Sequence, residues 1–388
     1  MARADTSQTS RLFTPITLRG VTARNRVVVA PMCVFMAEDG VVNDWHTAHY
    51  MKLAQGGVGM CIVEATAVEP AGRITPACAG LWSDDQIEPM SHVVRVLEDN
   101  GTVAGIQIAH AGRKAATRLP WEGGQPLDGT DAAKGEPPWE VIGPSAVPME
   151  PDWPTPREMT SDDITRQVEA WGQAARRARE AGFRVCEIHG AHGYLVHEFL
   201  SPLSNFRTDA YGGDLTGRMR FALEVSEAVR AEWSDEAPVF FRLSCIDEFE
   251  GGWTIEDSVE LAKGLKVAGV DVIDCSAGGI RGPIISLGAR VRPPAGFQVP
   301  FAEQIGRDAG IMTMAGGMIV DPHHAEEILS EGRADLITLA RELLNDPNWP
   351  AHAAQALGAD PEFRLWPDPY RWPLKSRAAM VDPEPDGT

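Results

Sequence analysis

Cys186-Glu187-Ile188-His189-Gly190-Ala191-His192-Gly193-Tyr194-Leu195 joins a short apolar run to a cluster of polar rings. The run from Val185 to about His189 reads as a buried strand. Gly190 breaks it, and two imidazoles and a phenol stand where it stops. In a closed parallel barrel the strands finish at the mouth, so polar side chains that arrive as an apolar run ends point into a shared pocket.

The same texture repeats on both sides of this stretch. Apolar, β-branched runs at Val27–Ala30, Val58–Glu64, Val103–Ile108, Val239–Ser244, Val270–Ser276, Ile311–Ala315 and Leu336–Ala340 bring the count to eight, with amphipathic segments between them that read as helices. Gly57, Gly101, Gly182, Gly269, Gly310 and Gly332 each follow a helical stretch and precede an apolar run, the place of a left-handed residue that stops a helix. Eight βα units punctuated in this way predict an α/β fold of the (β/α)8 TIM-barrel type, the competitor being a doubly wound open sheet. No Gly-x-Gly-x-x-Gly follows the first strand and no Gly-Lys-Ser/Thr occurs, so nothing supports a Rossmann or P-loop nucleotide site.

Two additions to the bare barrel are expected. Residues 11–26, with a turn at Arg19-Gly20, form a hairpin that plugs the lower end. The Pro-, Gly- and Trp-rich segment Gly112–Met159, after strand three, passes over the mouth as a long irregular loop. The division that follows is a polar tail over 1–10, one barrel over 11–372, and a tail over 373–388 that is partly disordered.

With 388 residues and 44% hydrophobic content the chain can bury a large core, and its formal charge of -20 argues against nucleic acid or an anionic membrane as partner. The start, Met1 to Arg11, lacks the apolar centre of a signal peptide, and no run approaches membrane-spanning length, so a cytoplasmic location is expected. The six cysteines are scattered without Cys-x-x-Cys spacing and read as reduced thiols.

The strand ends supply the chemistry. They carry Pro31-Met32-Cys33, Glu64-Ala65, Gln107 with His110, the His189/His192/Tyr194 group, Arg242, Ser276 to Gly279, Gly316-Gly317-Met318, and Ala340-Arg341. Glycines after strand seven and an arginine after strand eight form the phosphate cradle that barrels build from backbone N–H groups. The competing reading is a plain turn with Arg341 paired to a carboxylate. Arg242 emerges among apolar residues, so its charge has to be met by an anion or by acceptors. With Gln107 it can hold the polar edge of a planar heterocycle anchored by the phosphate, which points to FMN; a structural ion pair for Arg242 is the alternative. His189-x-x-His192 also suggests a metal, but a metalloprotease pair is His-Glu-x-x-His on a helix, whereas this pair leaves a strand, so no metal is expected.

Leu12-Phe13-Thr14-Pro15, Asn25-Arg26-Val27, Ala30-Pro31-Met32-Cys33, Val63-Glu64-Ala65, Gly72-Arg73-Ile74, Gln107-Ile108-Ala109-His110-Ala111-Gly112-Arg113-Lys114, His189 to Leu195, Ser201-Pro202, Arg207-Thr208-Asp209 and Tyr211-Gly212-Gly213 together resemble the Old Yellow Enzyme family (NADH:flavin oxidoreductases). Within it, Cys33 and the loop beginning at Ala115 resemble the bacterial xenobiotic reductase or thermophilic-like branch of ene-reductases. The match spans roughly 11–372.

The resemblance implies an FMN site made of Ala30, Pro31, Met32, Cys33, Ala65, Gln107, Arg242, Gly316, Gly317, Ala340 and Arg341, with NADPH or NADH as reductant. It implies that His189 and His192 hydrogen-bond the carbonyl oxygen of an enone-type substrate, that Tyr194 protonates its α-carbon, and that Cys33 tunes the flavin and touches substrate. The residue types suit those tasks: imidazole N–H groups face a developing enolate without a metal, and a phenol stays protonated at neutral pH yet can give its proton to carbon. Phe35 takes a place where close relatives carry a tyrosine, and Gly190 replaces an alanine at no expected cost. Trp372, near Arg371, resembles segments that reach a neighbouring subunit's site, so a homodimer or homotetramer is expected. The alternatives are a flavin-dependent oxidative demethylase or aromatic hydroxylase, or a flavin-free barrel lyase or hydrolase.

Overall fold

The computed structural model describes residues 10–282 and 293–381. Eight strands form a closed barrel: β1 (Val27–Val29), β2 (Met60–Ala67), β3 (Val103–Ala109), β4 (Val185–Gly190), β5 (Val239–Ser244), β6 (Val272–Ser276), β7 (Met312–Ala315) and β8 (Leu336–Leu339). Each pairs in parallel with the next, and β8 closes on β1 through Ile337–Val27, Thr338–Val28 and Leu339–Val29. The eight expected runs are these strands, displaced by one to three residues at their ends, and the open-sheet alternative is excluded by the closure.

Side-chain alternation with period two sorts each strand into an inner and an outer face. Val28, Met60, Ile62, Val185, Phe240, Val272, Met314 and Leu336 fill the lower interior. Their neighbours Val27, Cys61, Ile106, Cys186, Phe241, Cys275 and Ile337 face the surrounding helices. The hairpin Ile16–Leu18 and Val21–Ala23 turns at Arg19-Gly20 as expected and buries Ile16, Leu18, Val21 and Ala23 in the same cluster as the lower interior. Its apolar face stoppers the barrel, while Thr17 and Thr22 pair their hydroxyls outside at 2.9 Å.

The punctuation glycines do what their position demands: Gly57, Gly101, Gly182, Gly269, Gly310 and Gly332 all have φ between +62° and +99°. At Gly182 the helix Ser161–Ala181 ends with the cap N–H donated to Ala178 and Arg179 carbonyls, and φ +99° would strain any side chain. The same helix starts at Thr160, whose hydroxyl accepts from Asp163 N in a capping box, and buries Ile164, Trp171, Ala174, Ala175 and Ala178 along one face.

Three features depart from the sequence reading. β2 runs on to Ala67 through a register shift between Val63 and Thr66, a bulge that alternation does not reveal. A helix, Asp368–Val381, occupies most of the stretch assigned to the C-terminal tail, and 1–9 and 382–388 lie outside the described residues. Gly190 is not interchangeable with alanine: a Cβ there would stand 2.2 Å from the Phe241 ring and 3.0 Å from the Arg242 carbonyl. Because Phe241 is fully buried, it has nowhere to retreat. Gly190→Ala is expected to destabilise the protein by about 1–3 kcal/mol, the usual range for overpacking, read as a lower denaturant midpoint at unchanged slope.

The long loop 112–159 is irregular, as expected. It lays Ala115, Ala116, Leu127 and Val141 over the mouth, in one apolar cluster with Phe35, Ile74, Cys78 and Tyr194.

Candidate active site

The mouth is built from what each strand releases as it ends. After β1, Ala30 donates its N–H to the Leu339 carbonyl at 2.9 Å, and Pro31, Met32 and Cys33 follow half-buried. Glu64 of β2 pins this segment by accepting the Val34 N–H at 3.0 Å, while the Tyr50 hydroxyl approaches its other oxygen at 3.4 Å. Burial pushes the Glu64 carboxyl up to about 8, so it is protonated at neutral pH. Cys33 packs against the roof cluster that contains Tyr194. Burial and then the nearby Glu64 hold its thiol well above the ordinary value, so the group is a neutral, polarisable sulfur. Phe35 sits in the roof at φ +54°, edge-on to Trp121 with ring centroids 6.2 Å apart.

β4 places His189 opposite Arg242 of β5. The His189 ring lies 5.2 Å from that of His192 and 5.0 Å from that of Tyr194, both edge-on, so His189 stands between the other two rings. A cavity lined by Ala65, Ile74, Ala109, Ala111, His189 and Tyr194 opens there. Nδ1 of His189 is buried without a hydrogen-bond partner among the described residues.

The turn that carries His192 is strained and held from several sides. His192 has φ +60°, a left-handed conformation unfavourable for its side chain. Its N–H donates to Ser244 Oγ at 2.9 Å and its Nε2 lies 2.7 Å from Ser276 Oγ. Lys114 Nζ donates to the His192 carbonyl at 2.8 Å and also to the Gly279 carbonyl. Gly193 N–H donates to His197 Nδ1 at 2.8 Å, and His197 Nε2 meets Asp247 Oδ1 at 2.8 Å. A Cβ on Gly193 would lie 2.3 Å from the Gly279 oxygen, so only glycine fits.

Electrostatics assign protonation states. Burial first, and then the Arg242 charge, hold His189 and His192 well below the usual imidazole range, so both rings are neutral. Burial pushes the Tyr194 phenol well up, which keeps it protonated. Lys114 is brought down to about 7 by burial and by Arg113.

The residues expected to hold FMN fit it. On the phosphate side, a Cβ on Gly316 would stand 2.8 Å from Thr338 Cγ2, and one on Gly317, at φ +91°, 2.8 Å from the Phe297 ring; both positions keep the backbone bare. Thr338 Oγ1 is buried without a hydrogen-bond partner among the described residues. Arg341 is exposed beside Ala340 and, among the described residues, meets Met318 Sδ at 3.8 Å and no carboxylate, so the ion-pair reading for it fails. On the ring side Arg242 is 15% exposed, with Nε 3.2 Å from Asp274 Oδ2 but outside hydrogen-bonding geometry. The structural partner considered for Arg242 therefore exists without satisfying it. Gln107 spends its amide N–H on Glu187 at 2.8 Å and so has one donor fewer for a ligand than the sequence suggests.

Trp372 stands apart from the rest of the expected site. It lies on the C-terminal helix, 73% exposed, and does not line the cavity of its own chain. Among the described residues no three His, Cys, Asp or Glu side chains are grouped as metal ligands, and no helix is long and apolar enough to cross a membrane.

The sequence reading missed Lys114, Glu187 and Asp274 as parts of the site. The last two had a legible signal: an acid two residues before His189, and another inside the β6 run, fall on the inner face by period two. Lys114 had none, because its reach to the His192 turn depends on the loop's path.

The comparisons with known proteins agree with this geometry. The family model described as "NADH:flavin oxidoreductase / NADH oxidase family" matches residues 11–360. An NADPH dehydrogenase of Geobacillus sp. (strain WCH70) is 47% identical over 349 residues, 89% of this chain and 94% of that protein. A structure of morphinone reductase in complex with tetrahydroNAD superposes with a TM-score of 0.72 at 28% identity, over 90% of this chain and 91% of that one. The Old Yellow Enzyme homologue of Zymomonas mobilis does so with 0.72 at 25% identity, over 89% and 92%. The chain therefore belongs to the NADH:flavin oxidoreductase / NADH oxidase family, that of the Old Yellow Enzymes, and is an FMN-dependent NAD(P)H oxidoreductase.

Proposed function

We propose that this oxidoreductase reduces the activated C=C bond of α,β-unsaturated carbonyl compounds. The observation that carries the reading is the grouping of two neutral imidazoles and a protonated phenol, the His189 ring lying 5.2 Å from that of His192 and 5.0 Å from that of Tyr194, beside Arg242 and at the edge of a cavity that His189 and Tyr194 line. The likeness to a protein named morphinone reductase supports it.

The segment Ala30–Cys33, Ala65, Gln107, Arg242, the Gly316-Gly317 turn and Ala340-Arg341 would hold FMN, which when bound would supply hydride chemistry between NAD(P)H and the substrate. The chain's own side chains do the rest. His189 and His192 hold the substrate's carbonyl oxygen, so that negative charge arriving at that oxygen meets donors already in place. Lys114, Ser244 and His197 keep the His192 turn in its strained conformation, so the donors need no rearrangement. Tyr194 gives its proton to the α-carbon. The roof of Phe35, Ala115, Ala116, Leu127 and Val141 excludes water and presents apolar surface to the substrate's hydrocarbon. Cys33, a neutral thiol, contributes polarisability beside the ring.

The test is anaerobic. The flavin absorption of the purified protein is expected to bleach with one equivalent of NADPH and to return on adding cyclohexenone. A spectrum that stays bleached with enones of several sizes removes this reading.

Trp372 reaches a substrate only from a second copy of the chain. We propose a homodimer or homotetramer in which the exposed Tyr370, Trp372, Met380 and Val381 of the C-terminal helix are covered. Trp372→Glu is expected to lower the sedimenting mass; a wild-type chain that sediments as a monomer contradicts the proposal.

A further inference from the structure

Beneath the mouth, the barrel interior carries charges that the hydride and proton steps leave unused. Glu187 of β4 and Asp274 of β6 are fully buried on the two strands that flank β5, which carries Arg242. Gln107 satisfies one Glu187 oxygen at 2.8 Å. Glu187 Oε2, both Asp274 oxygens and Arg242 Nε have no hydrogen-bond partner among the described residues.

Among the described residues the surroundings offer no further charge at this level. Inward side chains of β1, β7, β8 and the lower part of β2 are Val28, Met314, Leu336, Thr338, Met60 and Ile62, none of them titratable; Glu64, higher on β2, is a buried carboxyl engaged by the Val34 N–H and the Tyr50 hydroxyl, and the plug below is Ile16, Leu18, Val21 and Ala23. Above stand His189 and His192, both neutral, and beyond them Lys114, whose ammonium is spent on two backbone carbonyls. One guanidinium thus faces two buried carboxyls. An unpaired buried carboxylate costs several kcal/mol, so the second carboxyl keeps a proton. Burial and the Asp274 charge do push Glu187 well above the carboxylate range, and burial raises Asp274.

We propose that the Glu187–Asp274 pair is the proton acceptor that accompanies reduction of the bound flavin, holding one proton while the ring is oxidised and taking a second from solvent when it is reduced. The inference rests on the reading that Arg242 faces the ring. When hydride is transferred, the nicotinamide C4–H bond breaks with its electron pair, an N–H bond forms at the ring, and the nicotinamide leaves oxidised. The ring gains one negative charge. Arg242 is then engaged by that charge, and the carboxylate it had compensated is left bare in an apolar interior. A solvent proton forms an O–H bond with that carboxylate, and no other bond breaks. The barrel's net internal charge is the same before and after, which lowers the cost of placing an electron pair over a buried cavity.

The measurement is proton uptake. The holoenzyme, reduced anaerobically by stoichiometric NADPH in lightly buffered, mildly alkaline solution with a pH indicator, is expected to take up close to one proton per flavin. Glu187→Gln/Asp274→Asn holoenzyme is expected to take up almost none. Undiminished uptake in the double variant places the proton elsewhere and overturns the proposal, as does wild-type protein that takes up none.

Where the double variant fails to fold or to hold FMN, the wild type decides alone. Its reduced-minus-oxidised infrared spectrum must gain a carboxylic-acid C=O band that shifts in D2O, and a spectrum without one overturns the proposal. Arg242→Met separates the two premises. If it leaves the flavin's absorption and affinity untouched, the placement of the ring has failed; if it changes both while wild-type uptake is absent, only the proton acceptor has.

Discussion

Tyr194→Phe slows enone reduction by about 10²–10⁴-fold, the range for loss of a positioned general acid, and leaves flavin reduction by NADPH within about twofold of wild type. This is the expected result of removing one oxygen from a ring that is otherwise fully supported. Tyr194 is 6% exposed, packs edge-on to His189 at 5.0 Å and belongs to the roof cluster, and phenylalanine preserves all of that contact. What disappears is the phenolic proton that burial holds in place, the one the proposed mechanism would deliver to the substrate's α-carbon. Anaerobic stopped-flow separates the two half-reactions. If both fall together, Tyr194 supports the flavin site instead of the proton transfer, and the assignment is wrong.

The second large effect belongs to the imidazoles. His189→Ala or His192→Ala is expected to lower kcat/KM for enones by about 10²–10³-fold, the usual consequence of removing one donor to a developing oxyanion. The double variant is expected to lose less than the two single losses summed, because both donors serve one oxygen. The pH profile provides a check independent of any substitution. Both pKa values are depressed, so each imidazole is neutral above the ordinary value of about 6.5 and stays neutral some way below it. Neither imidazole should therefore contribute an inflection to the enone half-reaction as pH falls through 6.5. An inflection there, abolished by His189→Ala or His192→Ala, would mean that the rings titrate normally and are not buried in the working enzyme.

The sequence disclosed this site where chemistry and periodicity coincide. His189 follows Glu187 and Val185 on one face, the glycine stops mark where each helix ends, and the polar groups at eight strand ends converge once the barrel closes. Alternation is a local property, and local properties are written in the chain. The clash that makes Gly190 obligatory was hidden, because the Phe241 ring comes from another strand some fifty residues on and the distance between them is decided by barrel stagger. Lys114 was hidden for the same reason: its two acceptors, the carbonyls of His192 and Gly279, lie in loops after β4 and β6. Gln107 shows a third kind of limit. Its place on the inner face was legible, but the partner that takes its amide proton, Glu187, is itself a neighbour across the barrel wall.

The stoppered floor bears on timing. With Ile16, Leu18, Val21 and Ala23 sealing the lower end in hydrocarbon, neither water nor hydronium has a route upward to Glu187 and Asp274. Any proton bound there must descend through the same doorway that admits and releases the nicotinamide. Its arrival should lag behind colour loss for as long as the spent dinucleotide blocks that passage.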